Sequence, residues 1–488
     1  MSLSGTQTSR ERASGNAERH RWPGMQAAGE HSRRTAPPRA AFWLVAGVFC
    51  LLFFAAGAPS PLYGVYQAQL RFSATTLTAI FAIYAFVLLL TLLVFGSVSD
   101  YVGRRRVILA ALMVTAGACA VFLAAHSVGL LFAARALQGV AVGTAIGALG
   151  AALIDLQPGG SGLAPLVTAA APALGLGAGA LGTSALAQYA PAPTHLVWWL
   201  LLGAAAAAVA VLAIPETAPR RPGVLASLRP RAAVPRQARG MFAVALPVMI
   251  AAPSLNGFYL SLGPSLAAQV LRSPDLLWGG LVIFLVTGTG AAATVAFRGL
   301  GDPAAMLAGC LFLLAGALMT LAAIETASAA AFLAGTAVAG AGVGTGFFAG
   351  AYRVLTALAG PAQRAGLVAA IWIVFYLAFS VPVVAAGVAT THFGLRQTAI
   401  VYSAALAVLA AAAAGSLIIR RRSRPGSPTA PPEALRASRQ GLGKGLASRA
   451  FGRGGWRAFA SEHVAQLVAV GYPELGERPV QVRADRAR

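Results

Sequence analysis

The chain has 488 residues, of which 58% are hydrophobic and 10% charged, with a mean hydropathy of +0.72. Soluble domains carry about 25% charged residues, so a soluble globular fold is excluded, and the aliphatic content excludes disorder for the bulk of the chain. The net charge of +23 would point to nucleic acid in a soluble protein; here it is read as arginine gathered on one side of a membrane, with the lipid bilayer and not nucleic acid as the partner.

Residues 1–40 form the first element, a basic tail with seven arginines against three acids and with Pro37 and Pro38. Its composition predicts a disordered cytoplasmic tail, and it is too polar and too long to be the short basic region of a secretory signal. From residue 41 onward, apolar runs of about 20 residues recur, the length a membrane-crossing helix needs. The runs fall at 41–64, 76–98, 107–125, 128–153, 163–186 and 196–214, then at 241–263, 277–297, 304–323, 329–352, 365–389 and 398–419. The expected fold is therefore an all-α integral membrane protein of twelve transmembrane helices in two pseudo-symmetric six-helix bundles, 41–214 and 241–419. Between them, residues 215–240 carry Arg220, Arg221, Arg229, Arg231, Arg236 and Arg239 and read as a basic cytoplasmic linker.

Orientation follows from arginine placement. With the amino terminus inside, the inner side receives both tails, Arg104, Arg105, Arg106, the linker, Arg298, Arg353 and Arg364. The outer side receives Arg71, Arg272 and Arg396. Residues 420–488 form a second basic tail, with thirteen arginines and Lys444 against five acids. Lys444 is the sole lysine, a usage that reflects a GC-rich genome. Within this tail, 456–472 could form an amphipathic helix on anionic lipid; a solvated tail is the simpler alternative. The expected location is a bacterial cytoplasmic membrane with both termini inside. Cys50, Cys119 and Cys310 lie within apolar runs and at no metal or redox spacing, so neither metal nor cofactor is expected.

At the inner exit of the second helix, residues 96–106 read GSVSDYVGRRR. Gly96 allows close helix contact, Asp100 at the membrane boundary calls for a basic partner, and Gly103 permits a tight reversal. The arginines can pair with Asp100 or anchor to lipid phosphate; a loop that merely fixes topology is the bland alternative. The spacing G-x-x-x-D-x-x-G-R-R between helices two and three resembles the signature loop of the major facilitator superfamily. That resemblance implies a gating charge network of Gly96, Asp100, Gly103, Arg104 and Arg105 that holds two bundles together when the cavity faces outward. Tyr101 departs from the family pattern, which has a basic residue there.

Further positions carry the likeness across about 41–419. Arg135, Gln138 and Gly139 on helix four are similar to the family's R-x-x-Q-G motif, and Pro215, Glu216 and Thr217 look like its helix-six terminus. An arginine within the membrane is costly and normally faces a bundle interior or an aqueous cavity; substrate or proton handling and structural hydrogen bonding are both open. Gly299 and Asp302 form a worn copy of the first signature, 202 residues after Asp100, as a duplicated six-helix unit would place them. The arginines after Asp302 are gone, so the second network should be weaker.

The resemblance makes helices one, four, seven and ten the walls of a cavity near the midplane, with alternating access by rocking of the bundles. Candidate lining residues are Tyr63, Tyr66, Arg135, Gln138, Asn256, Tyr259 and Thr345, joined by Tyr84, Trp372 and Tyr376 from flanking helices. Each could equally serve ordinary packing. Asp100, Asp155, Glu216, Asp275, Asp302 and Glu325 are the acids of the apolar middle, and all fall at helix ends or loops. A coupling proton or ion therefore has no midplane carboxylate, though Asp100 or Asp155 could serve at the inner mouth. Residues 172–179, PALGLGAG, partly resemble the family's antiporter motif, which favours export over uptake. The expected function is secondary transport of a small, apolar or weakly charged solute by a monomer. The alternatives are a polytopic membrane enzyme, a channel and a transport-inactive sensor. No acid/base, metal-ligand or filter pattern supports the first two.

Overall fold

The structure, a computed structural model, describes residues 37–158, 162–218, 222–223 and 232–422. Both tails beyond these limits, Arg220, Arg221, Arg229, Arg231 and the 456–472 segment lie outside the described residues. Eleven helices among the described residues are long and apolar enough to cross a membrane. They are apolar nearly all round, as buried or lipid-facing helices must be, and outward positions such as Trp43, Leu90, Met113, Ile154, Leu311 and Val408 are exposed.

The first crossing is made by α1 (Pro38–Gly57) and α2 (Pro59–Leu70). Pro59 lacks the amide hydrogen that would continue the ladder, but Ala58 keeps helical dihedrals, so the junction is a kink. α3 (Ala74–Phe95), the short α4 (Ser99–Val102), α5 (Arg104–Leu123), α6 (Val128–Asp155) and α7 (Leu163–Tyr189) follow. α8 (Leu196–Ala207) runs into a 3-10 turn, Ala208–Ala213.

Here the expected sixth span differs. The apolar stretch Leu196–Val211 is shorter than the other eleven. The 3-10 geometry lengthens it, since each such residue rises about 2.0 Å against about 1.5 Å in an α-helix. α8 and its 3-10 extension together reach about 30 Å, the thickness of the hydrocarbon core.

The second half opens with α9 (Arg236–Ser261), which starts inside the segment expected to be linker, and α10 (Gly263–Leu271). α11 (Leu276–Ala296) ends in a 3-10 turn, and α12 (Asp302–Thr326) and α13 (Ala329–Val343) come next. A π-helical stretch, Gly344–Tyr352, joins α13 to α14 (Arg353–Ala357); α15 (Pro361–Phe393) and α16 (Leu395–Arg422) are the last of the described helices.

The halves repeat one another in detail. α2 and α10 each follow a break in the first crossing of their half. Arg71 closes α2 in the left-handed conformation at φ 53°, and Arg272 closes α10 at φ 51°, 201 residues later. Ser73 caps α3 by accepting from the Thr76 amide, and Asp275 caps α11 by accepting from Leu277. The offset matches that between Asp100 and Asp302.

Close backbone approach builds each half. A Cβ at Gly139 would lie 2.7 Å from the Tyr84 carbonyl oxygen, and one at Gly147 would lie 2.6 Å from that of Gly96, so α6 lies directly on α3. α1 rests on α7 through Gly175 and Gly179, and α12 on the π-helix through Gly309 and Gly346. Between the halves, α7 packs on α11 and α3 on α15.

Candidate functional site

Three places along the seam between the halves hold the polar chemistry. The first is at the Asp100 end. Gly103 has φ +105°, a conformation L side chains rarely adopt, and its α-carbon faces Glu216, whose Oε2 would lie 2.6 Å from an added Cβ. Glu216 accepts a 2.8 Å hydrogen bond from the Arg104 amide and a longer one from Ala218. A carboxylate on the first turn of α5 is favoured by the unpaired amides there. The Arg104 guanidinium pairs with Asp155 at the end of α6 (Nη1–Oδ2 2.8 Å) and sits 3.8 Å from Asp100. Arg105 donates to the Ile214 carbonyl.

The signature loop is thus anchored within its own half to two acids, Asp155 and Glu216, that the sequence motif did not contain. Asp100 itself is 57% exposed and, among the described residues, pairs with Arg104 alone. A double-mutant cycle with Arg104→Ala and Asp155→Ala should give a coupling between about 0.5 and 3 kcal/mol in thermal unfolding of detergent-purified protein. Additivity within error would mean that the ion pair holds nothing.

In the second half the equivalent loop is held differently. Arg353 donates to the carbonyls of Arg298 (2.7 Å) and Leu300 (3.3 Å). Gly299 lies within this stretch, and Asp302 begins α12.

The second place is the centre. Arg135 on α6 is buried, donating through Nη1 to the Ala56 carbonyl (3.0 Å) and to Gln138 Oε1 (2.8 Å), while Gln138 donates to the Ala55 carbonyl (2.7 Å). These acceptors lie at the end of α1, just before the kink at Pro59. The guanidinium lies 4.2 Å from the centroid of the Tyr84 ring and 5.8 Å from that of Phe81, both on α3. Tyr63 on α2 lies near it. From the other half, α15 brings Tyr376 beside Tyr84 and Phe379 against Phe81 at 5.2 Å between centroids. Trp372 stacks on Tyr376, and Phe375 joins them to Phe347 of the π-helix.

Tyr63, Tyr84, Arg135, Gln138, Trp372 and Tyr376 are therefore brought together. Other candidates stand apart. The Tyr66 hydroxyl accepts from Trp198 Nε1, tying α2 to α8. Tyr259 bonds to Thr320 across α9 and α12, and Thr345 donates back to Ala341, so both are engaged inside the second half. Asn256 is half-buried on α9 and makes no hydrogen bond among the described residues. A mid-helix amide in that state needs water or a solute. Phe81, Phe347, Phe375 and Phe379 were not singled out in the sequence, because a phenylalanine in an apolar run looks like any other core residue.

The third place is the rim opposite Asp100. Thr75 at the start of α3 bonds to Thr391 near the end of α15 (2.9 Å between hydroxyls) and to the Gly387 carbonyl. Gly387 lies directly against Thr78. On the other side of the seam Gln188 accepts from the Leu276 amide at 3.1 Å, Gly280 abuts Ser184, and Gly177 abuts Thr287 and Phe284. At this end the halves are bonded to each other. The bonds at the Asp100 end described above are made within each half.

A family profile described as Major Facilitator Superfamily matches residues 45–304. Comparison with curated proteins gives no match. Among solved structures, the human organic anion transporter MFSD10 (TETRAN) aligns with a TM-score of 0.57 and 21% identity, over 78% of this chain and 100% of its own. The nucleoside transporter NupG aligns with a TM-score of 0.59 and 12% identity, over 77% of this chain and 98% of its own. At such identities the likeness is one of fold.

Proposed function

The chain belongs to the Major Facilitator Superfamily, and from that premise we propose that it carries a small solute across a bacterial cytoplasmic membrane by alternating access. The observation that supports this best is the asymmetry of the seam. The halves are joined at the Thr75–Thr391 rim, whereas the ion pairs of Asp100 and Arg104 lie within the first half. Such a form corresponds to a cavity closed on one side, with Asp100 free to engage the second half when the bundles rock back.

In this proposal the bundles are 41–214 and 241–419, and α8 with its 3-10 extension completes twelve crossings. Both termini then lie on the inner side, where the arginines gather, and the Asp100 end is cytoplasmic. Gly96, Asp100, Gly103, Arg104 and Arg105 form the gating loop. Arg135, Gln138, Tyr63, Tyr84, Trp372, Tyr376 and Asn256 face the solute, and the protein acts as a monomer.

Export is preferred over uptake. The antiporter-like stretch 172–179 supplies both the α1–α7 contact, through Gly175 and Gly179, and the seam contact of Gly177. Small residues in that position let the halves slide as rigid bodies. With no carboxylate at the midplane, any coupling proton would be handled at the inner mouth, by Asp100 or Asp155.

The test is flux in proteoliposomes containing the full chain, with a solute panel under imposed proton and sodium gradients. Saturable uptake or release of at least one solute, absent from empty vesicles, is the expected result. A folded protein that moves no solute under any gradient would contradict transport and favour a sensor.

A further inference from the structure

Arg135 is 1% exposed, and among the described residues no carboxylate pairs with it. Removing a guanidinium from water without a counter-charge is costly. The ring faces of Tyr84 and Phe81 attract the cation and the bonds to Ala56 and Gln138 hold it in place, but none of these groups carries a negative charge. Two further donors are left over. Among the described residues, Arg135 Nε makes no well-aligned hydrogen bond, and neither does the Tyr63 hydroxyl, which lies buried within interacting distance of the same guanidinium. Gln138 occupies Nη1 and so turns the group, leaving its Nε edge uncommitted. A guanidinium edge and a neighbouring phenol match a carboxylate, which accepts two or more charge-assisted bonds.

The rest of the site is flat and apolar. Tyr84 on one half lies near Tyr376 on the other, Trp372 stacks on Tyr376 at 5.7 Å, and Phe379 lies against Phe81. Opening the seam parts these rings and uncovers Arg135 between them. The geometry points to an organic monoanion with an aromatic body as the solute, its carboxylate on Arg135 and Tyr63 and its ring between Tyr84, Trp372 and Tyr376. A neutral solute leaves the buried charge uncancelled, and a dianion brings one charge more than the single arginine can match. This deepens the transport proposal and rests on it for the opening of the seam that lets a solute reach Arg135.

The experiment measures binding to the full chain in detergent by calorimetry and thermal shift, using benzoate, naphthalene-2-carboxylate and the two corresponding neutral amides. The carboxylates should bind saturably and the amides at least about tenfold more weakly. Arg135→Gln should weaken carboxylate binding about 10- to 150-fold, as loss of a charge-assisted bond predicts, with Arg135→Lys retaining part of the affinity. Trp372→Leu should weaken the naphthalene acid more than benzoate. Should Arg135→Gln fail to fold, Tyr63→Phe keeps the ring, removes only the hydroxyl, and should weaken the carboxylates about fivefold or more.

Equal binding of acid and amide, no binding of either, or carboxylate affinity indifferent to the variants that fold would overturn the assignment. A chain that binds carboxylates but moves no solute would sink the transport proposal alone. One that moves neutral solutes and ignores carboxylates would sink this one alone.

Discussion

Replacing Gly387 by alanine should cut solute flux about 5- to 150-fold, and Thr78→Gly in the same chain should restore it. Gly387 on α15 rests directly against Thr78 on α3, across the seam and beside the Thr75–Thr391 bond. A Cβ there overlaps the threonine side chain, and overpacking of this kind costs about 1–3 kcal/mol. That cost falls only on the form whose rim is closed, because parting the halves relieves it. The substitution therefore shifts the equilibrium between the two forms by the matching factor, and the transport cycle stalls with the rim open. Reactivity of a cysteine placed at Thr391 toward a hydrophilic thiol reagent should rise in Gly387→Ala, with Cys50, Cys119 and Cys310 replaced beforehand. Among the described residues Thr78 bonds to the Ala74 and Thr75 carbonyls of its own helix, so the rescue variant breaks no hydrogen bond between the halves. Unchanged flux and unchanged labelling in Gly387→Ala would mean that the rim does not open during turnover.

The second large effect is expected at the other end. Asp100→Asn should lower flux by a similar factor while leaving the melting temperature of the purified protein almost unchanged. In the rim-closed form Asp100 is mostly exposed, and its contact with Arg104 is long, so the folded protein loses little. α3 and α15 run antiparallel along the seam, Thr75 opposite Thr391 and Phe81 opposite Phe379. Extending that register brings the 361–364 segment opposite Asp100. There the second half offers the positive end of the α15 dipole and Arg364. Closing this end is thus expected to depend on the Asp100 charge, with a coupling in the range typical of switches, about 5- to 150-fold. A large drop in melting temperature without selective loss of flux would make Asp100 a stabilising residue instead.

Much of this is legible in the sequence. Runs of about 20 apolar residues leave a chain few alternatives to membrane-crossing helices, because lipid offers the backbone no hydrogen bonds. The duplication showed in Asp100 and Asp302, and the repeated Arg71 and Arg272 helix ends extend it. The sixth span is one apolar run in the sequence, and hydropathy does not show that its last residues, Ala208–Ala213, are 3-10 and not α-helical. The π-helix at Gly344–Tyr352 left no local signal, since it goes with the contact of Gly346 on Gly309 in another helix.

The site was legible only in part. Arg135 and Gln138 announced themselves as polar groups in an apolar run. Tyr259 looked equally exposed to a cavity, yet its partner Thr320 lies 61 residues away, and no pattern in one sequence joins the two. Glu216 read as a helix stop because its partners, Gly103 and the Arg104 amide, meet it only after the bundle folds. The phenylalanines of the seam were hidden for the opposite reason, being chemically indistinguishable from their neighbours in the core.

The central claim is that the two halves pivot, so that one end of the seam opens as the other closes. Paired spin labels test it directly in the cysteine-replaced chain reconstituted in nanodiscs. One pair goes at Arg71 and Phe393 beside the Thr75–Thr391 rim, the other at Arg106 and Gln363 near the Asp100 end, all four being exposed positions. Pivoting predicts two distance populations for each pair, with conditions that lengthen the first shortening the second. A transporting preparation in which both distances stay single and fixed, or lengthen together, would contradict it.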